Sequence, residues 1–193
     1  MNIVIIHYNA GNIHSVRLAL NRLGHEAIVS EELETIRNAD KVIFPGVGEA
    51  STAMAYLRQR GISDLLPQLK QPVLGICLGL ALMCRHSQEA DTVCLGIFDT
   101  LVKKFPPTNK VPHMGWNSLS EMKGKLLKGL DEDAYVYFVH SFYAELDPCT
   151  SARCDYSVSF SAAMEKDNFY AVQFHPEKSG KVGERILKNF LEL

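Results

Sequence analysis

Three stretches of this chain, NIVIIH at 2–7, KVIF at 41–44 and QPVLGIC at 71–77, are apolar along most of their length. A strand with one wet face alternates apolar and polar residues. A strand buried on both faces does not, so these runs are expected in a parallel sheet covered on both sides. Helical patterns lie between them. In IHSVRLALNRLG, Val16, Ala19, Leu20 and Leu23 fall at i, i+3, i+4 and i+7, one face of a helix, and Gly24 is placed to cap its end. EAIVS reads as a short strand. Residues 49–60 read as a helix stopped by Gly61, and LGLALMCRH as a helix following the third run. The second half has a different texture. Residues 93–120 hold short strands and turns around Pro106, Pro107 and Pro112. AYVYFVHSF, SARCDYSVSF and NFYAVQFH then read as strands, several able to pair antiparallel. A closing helix, KVGERILKNFLEL, carries Val182, Ile186 and Phe190 on one face. The expected architecture is α/β: a single domain over 1–193 with an open, mostly parallel but mixed sheet flanked by helices.

A length of 193 residues suits one domain with a sizeable core. The net charge is −2 with scattered Lys and Arg, so neither nucleic acid nor a membrane surface is indicated as a partner. The apolar runs are far too short to span a bilayer. The opening MNIVIIHYNAGN lacks the basic start and small-residue cleavage site of a signal peptide and reads as a first strand, which implies a cytoplasmic protein. Five cysteines, odd in number and irregularly spaced, do not form a disulfide framework, and without a Cys-x-x-Cys pair they do not suggest structural zinc. Cys84, Cys94, Cys149 and Cys154 read as small apolar residues.

Cys77 is different. It sits in GICLGLAL, between Gly75 and Gly79, where an apolar strand gives way to a helix. Strand, tight turn and helix with a nucleophile between two glycines is a nucleophile elbow. The helix start favours a thiolate, and its free N–H groups, that of Leu78 first, can hold an oxyanion. A buried cysteine ending a core strand is the plain alternative. A cysteine nucleophile needs a base. Of seven histidines, His175 in AVQFHPEKS also follows an apolar strand, and Glu177 two residues on can orient its ring. PGVG at 45–48 ends another strand and could supply a second oxyanion N–H, from Val47 or Gly48. It could equally be only a tight turn.

GICLGLAL resembles the cysteine elbow of the class I (triad-type) glutamine amidotransferases, and FHPEKS is similar to their His-x-Glu segment. A narrower set of segments is AGN at 10–12, PGVG at 45–48, GICLG at 75–79, PHMGWN at 112–117, YFVHS at 137–141 and QFHPEKSG at 173–180. Together these resemble one branch, the glutaminase subunits of imidazole glycerol phosphate synthase. The resemblance implies that Cys77 attacks the side-chain amide of L-glutamine, with Leu78 and Val47 or Gly48 at the oxyanion and His175 and Glu177 completing a triad. It implies substrate contacts at Gly46, Gly79, Glu89 and position 81. It also implies a heterodimer in which ammonia passes to a (β/α)8-barrel cyclase subunit, and no metal or organic cofactor. Asn12, Trp116, His140 and Lys178 come from matching segments and are expected at the partner-facing rim; for Trp116 a core position is equally open, and His140 reads rather as structural.

Two departures stand out. Ala81 occupies a position where the family usually carries glutamine, and His7-Tyr8-Asn9 stands where it usually carries Asp-x-Gly. They leave open a glutaminase subunit of a paralogous synthase, for example in surface-sugar amidination, or a catalytically weak regulatory subunit. A cysteine hydrolase acting without a partner is a further alternative.

Overall fold

The computed structural model describes residues 1–8 and 11–193; the expectations placed on Asn9 and Ala10 lie outside the described residues. The first half alternates strand and helix: β1 (Ile3–Ile6), α1 (Ile13–Arg22), β2 (Ala27–Ser30), α2 (Leu33–Arg37), β3 (Lys41–Gly46), α3 (Ala50–Gln59), α4 (Ile62–Leu65), β4 (Val73–Cys77) and α5 (Leu78–Met83). The second half is mostly strand: β5 (His86–Ser87), β6 (Thr92–Val93), β7 (Leu101–Lys104), β8 (His113–Ser118), β9 (Tyr135–His140), β10 (Phe142–Ala144), β11 (Thr150–Asp155), β12 (Ser159–Lys166) and β13 (Phe169–Val172). Helix α6 (Gly180–Leu191) closes the chain.

A seven-stranded sheet runs β11-β12-β13-β4-β3-β1-β2. Neighbours from β2 to β13 pair parallel, while β12 pairs antiparallel with both β13 and β11. The expected mixed sheet is therefore present. SARCDYSVSF is two strands, not one, because the chain reverses at 156–158. The LGLALMCRH helix is also shorter than expected. It ends at Met83, and Cys84 is already extended.

Side chains of one strand divide between two cores. Val4, Ile6, Val42 and Phe44 pack with Met54 and Leu57 of α3 on one face. Ile3, Ile5, Ile43, Leu74 and Ile76 pack with Leu20 of α1 and Ile186 and Phe190 of α6 on the other. This double burial is why the runs lack alternation. Helix α1 ends as its sequence suggests. Gly24 takes φ +81°, its N–H bonds to Asn21 O, and the His25 N–H reaches back to Leu20 O, a Schellman closure.

A four-stranded sheet, β10-β7-β5-β6, and a two-stranded ribbon, β8-β9, flank the main sheet. In the ribbon Trp116 lies opposite Tyr137 and His113 opposite His140. Residues paired in this way share a face, so the ribbon has a wet apolar face and a buried one. Among the described residues no helix is long and apolar enough to cross a membrane.

Candidate active site

The carboxyl ends of β3, β4 and β13 meet at the centre of the parallel sheet, where ligands of open α/β folds bind. Cys77 ends β4 with φ 55° and ψ −103°. A non-glycine residue rarely holds such a conformation, which costs on the order of 1–3 kcal/mol and persists only where the surroundings enforce it. The two glycines are part of that enforcement. A Cβ on Gly79 would lie 1.9 Å from the Phe44 carbonyl oxygen, and one on Gly75 would lie 2.8 Å from Met83 Sδ and 3.0 Å from the Gly79 backbone. Only a bare backbone lets α5 turn this sharply against β3 and β4.

Beyond β13 the chain places His175 and Glu177 in one short turn. His175 Nδ1 lies 2.7 Å from Glu177 Oε1, and both side chains are fully buried. Ser179 anchors the turn: its hydroxyl donates to His175 O at 2.7 Å and accepts the Tyr137 N–H at 2.9 Å, while the His175 N–H bonds to Tyr137 O at 2.9 Å. His175 Nε2 is buried without a hydrogen-bond partner. Burial alone would depress the basicity of this ring. Negative charge on the Cys77 sulfur and on the Glu177 carboxylate more than offsets it and raises the pKa to about 9.

Cys77 faces a cavity of about 310 Å³, lined among others by Val47, Gly48, Leu78, Ala81, Glu89, Val139, Ser141 and Gln173. Its volume suits a small organic ligand. The cavity wall is mostly apolar with a few convergent polar groups, and no group of three or more His, Cys, Asp or Glu among the described residues is arranged to hold a metal.

The family profile for class I glutamine amidotransferases matches residues 4–193. This chain belongs to the class I glutamine amidotransferases. Curated amidotransferase relatives named imidazole glycerol phosphate synthase subunit HisH match over their whole length: that of Bacteroides fragilis is 59% identical and that of Escherichia coli 46%, each match covering 100% of both chains. Among solved structures, a glutamine amidotransferase superposes with a TM-score of 0.77 at 21% identity, covering 98% of this chain and 97% of that one. Thermotoga maritima PurLQS gives 0.74 at 15% identity, covering 99% and 97%. At those identities the likeness concerns the fold.

The amidotransferase geometry groups most of the expected residues and reassigns some. Val47, Gly48, Leu78, Ala81 and Glu89 all line the cavity. Glu89 gives one carboxylate oxygen to the Ala50 N–H at the start of α3, 2.8 Å away, and burial raises its pKa. Gly46 and Gly79, expected at the substrate, are not on the cavity wall. Gly46 faces the Tyr8 hydroxyl, which would sit 2.0 Å from any Cβ there, and Gly79 faces Phe44. Both are glycine because the backbone is crowded.

Of the four residues expected at the rim, two turn inward. Asn12, with φ 77° before α1, donates its amide to Glu177 Oε1 and lies 3.2 Å from His175 Nδ1. Nδ1 must itself donate to Glu177, so Asn12 supports the carboxylate rather than the ring. His140 is 7% exposed. Trp116, in contrast, is 55% exposed on the outer face of the ribbon, and Lys178 is exposed beside the triad turn. The sequence reading did not single out Gln173, whose amide lies 3.8 Å from Cys77 Sγ, or Ser179. A glutamine inside the apolar run YAVQF was the available signal for the first.

His140 belongs to a buried relay. Its Nδ1–H donates to Phe142 O at 2.7 Å, so its Nε2 accepts from His113 Nδ1 at 3.0 Å, and His113 Nε2 faces the Asn117 amide at 3.4 Å. Burial lowers His140 to about 3 and His113 to about 4. An unfolded histidine takes up its proton near pH 6.5. Between pH 6.5 and 4 the unfolded chain therefore binds protons that the native chain refuses, and stability falls as pH falls. His175, raised instead, opposes this only weakly there, since its contribution is lost on the alkaline side, as pH rises toward 9. The urea midpoint is expected to be lower at pH 5 than at pH 7, by about 1 kcal/mol or more of unfolding free energy per relay histidine. His113→Gln should flatten that slope; an unchanged midpoint would count against the neutral relay.

Proposed function

We propose that this chain is the glutaminase subunit of an imidazole glycerol phosphate synthase. The observation that carries this reading is a strained Cys77 on the wall of a cavity, with the buried His175–Glu177 pair close enough for the Cys77 sulfur to act on the His175 ring. The whole-length identity to relatives of that name supports it. Cys77 Sγ attacks the amide carbon of glutamine. The resulting oxyanion rests on Leu78 N–H, at the start of α5, and on an N–H of the 45–48 turn. His175, held protonated by its neighbours at neutral pH, gives its proton to the departing ammonia. The neutral ring then draws a proton from water, which hydrolyses the glutamyl thioester. Glu177 fixes the ring tautomer and balances its charge, and Asn12 steadies Glu177.

Ammonia released in water becomes mostly ammonium, a poor nucleophile, so production beside its acceptor is advantageous. We read the acceptor as a (β/α)8-barrel cyclase subunit that makes imidazole glycerol phosphate. The outer face of the β8-β9 ribbon supports a docking role. Met114, Trp116 and Tyr135 are 62%, 55% and 55% exposed there, and Val139 of the same face lines the Cys77 cavity. Exposed aromatic clusters of this kind are typical interface anchors.

The test is ammonia release from glutamine by the isolated chain and by its complex with a barrel cyclase carrying its nucleotide ligand. Low release alone and strong release in the complex is expected. No release in either state would reject the assignment. The same assay measures Ala81. One missing hydrogen bond corresponds to about 0.5–1.5 kcal/mol, so Ala81→Gln is expected to lower the KM for glutamine by about 2- to 13-fold, with a smaller change in kcat.

A further inference from the structure

Tyr8 is 1% exposed, and its hydroxyl has no hydrogen-bond partner among the described residues. A buried, unsatisfied hydroxyl is destabilising, so its position needs a reason. The ring packs on Phe44 of β3 at 4.9 Å, and the hydroxyl presses on Gly46, the last residue that β3 pairs with β4. Beyond it a small void of about 50 Å³ is bounded by Tyr8, Val47, Gly48, Glu49, Thr52, Ala53 and Leu78. Val47, Gly48 and Leu78 also line the Cys77 cavity. The turn after Gly46 is thus a partition, with the substrate cavity on one side and the Tyr8 void on the other.

A peptide unit carries its N–H and C=O on opposite edges. If the Gly46–Val47 peptide presents the Val47 N–H to the substrate cavity, its carbonyl must face away, into protein, where it needs a donor. We propose that the Tyr8 hydroxyl is that donor, a positioning residue that holds the Gly46 carbonyl when the turn offers Val47 N–H to the oxyanion. Tyr8 forms no bond to substrate. It acts on the reaction only through the peptide it holds, and the resting chain bears an unsatisfied hydroxyl in exchange. The inference rests on the glutaminase reading above and adds a residue to it.

The experiment is Tyr8→Phe, which keeps the ring and its packing, assayed in the complex with a barrel cyclase and its nucleotide ligand. An oxyanion donor acts in the transition state, and its complete removal lowers kcat by about 10²–10³-fold. Loss of its positioning partner is expected to lower kcat for glutamine by about tenfold or more, with KM within about twofold. Because the hydroxyl removed is unsatisfied at rest, the melting temperature of the isolated chain should stay the same or rise. A kcat within twofold of the parent, a loss carried by KM, or a melting temperature lowered by several degrees would each overturn the proposal. The last result would mean that the hydroxyl already has a partner. If the parent complex itself releases no ammonia, the glutaminase reading fails first, and the positioning role with it.

Discussion

Cys77→Ala is expected to reduce glutamine-dependent ammonia release by about 10⁴-fold or more, because the triad has no second nucleophile to fall back on. The three other buried cysteines offer none. Cys84 is wholly buried, and burial drives its thiol well above the ordinary range. Burial likewise raises Cys94 to about 11 and Cys154 to about 12. The same complex fed with an ammonium salt at alkaline pH should still make the cyclase product, since the variant removes the source of ammonia and not its use. Ammonia release from glutamine within tenfold of the parent would remove Cys77 from the chemistry.

Gly79→Ala is expected to be severely damaging. Its Cβ would lie 1.9 Å from the Phe44 carbonyl oxygen and 3.1 Å from the carbonyl carbon. Both are main-chain atoms of a central strand, so neither can rotate away. Separating α5 from β3 should lower stability by about 3 kcal/mol, seen as a fall of about 6–12 °C in melting temperature. Activity should fall further than stability, because α5 sets the direction of Cys77. Gly24→Ala is the control. Nothing lies within 4 Å of its Cβ, but its φ of +81° disfavours a side chain, and the loss should stay near about 1 kcal/mol. Equal melting temperatures for the two variants would show that crowding at position 79 is relieved by backbone movement.

The residues that were legible in the sequence are those whose local pattern has one physical cause. The unalternating runs of β1, β3 and β4 follow from burial on both faces, and they located the parallel sheet. GICLG announced a crowded turn, and its glycines do meet backbone. His175 and Glu177 were readable because a two-residue spacing confines both to one turn. Residues serving through a long-range partner were not legible. Asn12 matches a family segment, yet nothing local says that its amide reaches across 165 residues of chain to Glu177. Ser179 looks like an ordinary residue before a helix until β9 packs beside it. Gly46 and Gly79 were expected at the substrate only through the resemblance, and no local pattern says what their bare backbones face. In the fold that space is taken by Tyr8 and by Phe44. The two-residue strands β5 and β6 are too short for any periodicity to register.

Strand β13 is made late but lies between β4 and β12, near the middle of the sheet. Gln173, at its carboxyl end, is 96 residues from Cys77. At synthesis rates of about 5–20 residues per second, Cys77 emerges about 5–20 s before His175. Until then β4 has an open edge where β13 will pair, and Cys77 has no histidine beside it. His175 and Glu177 thus arrive with the last tenth of the polypeptide, just after the strand that closes the middle of the sheet.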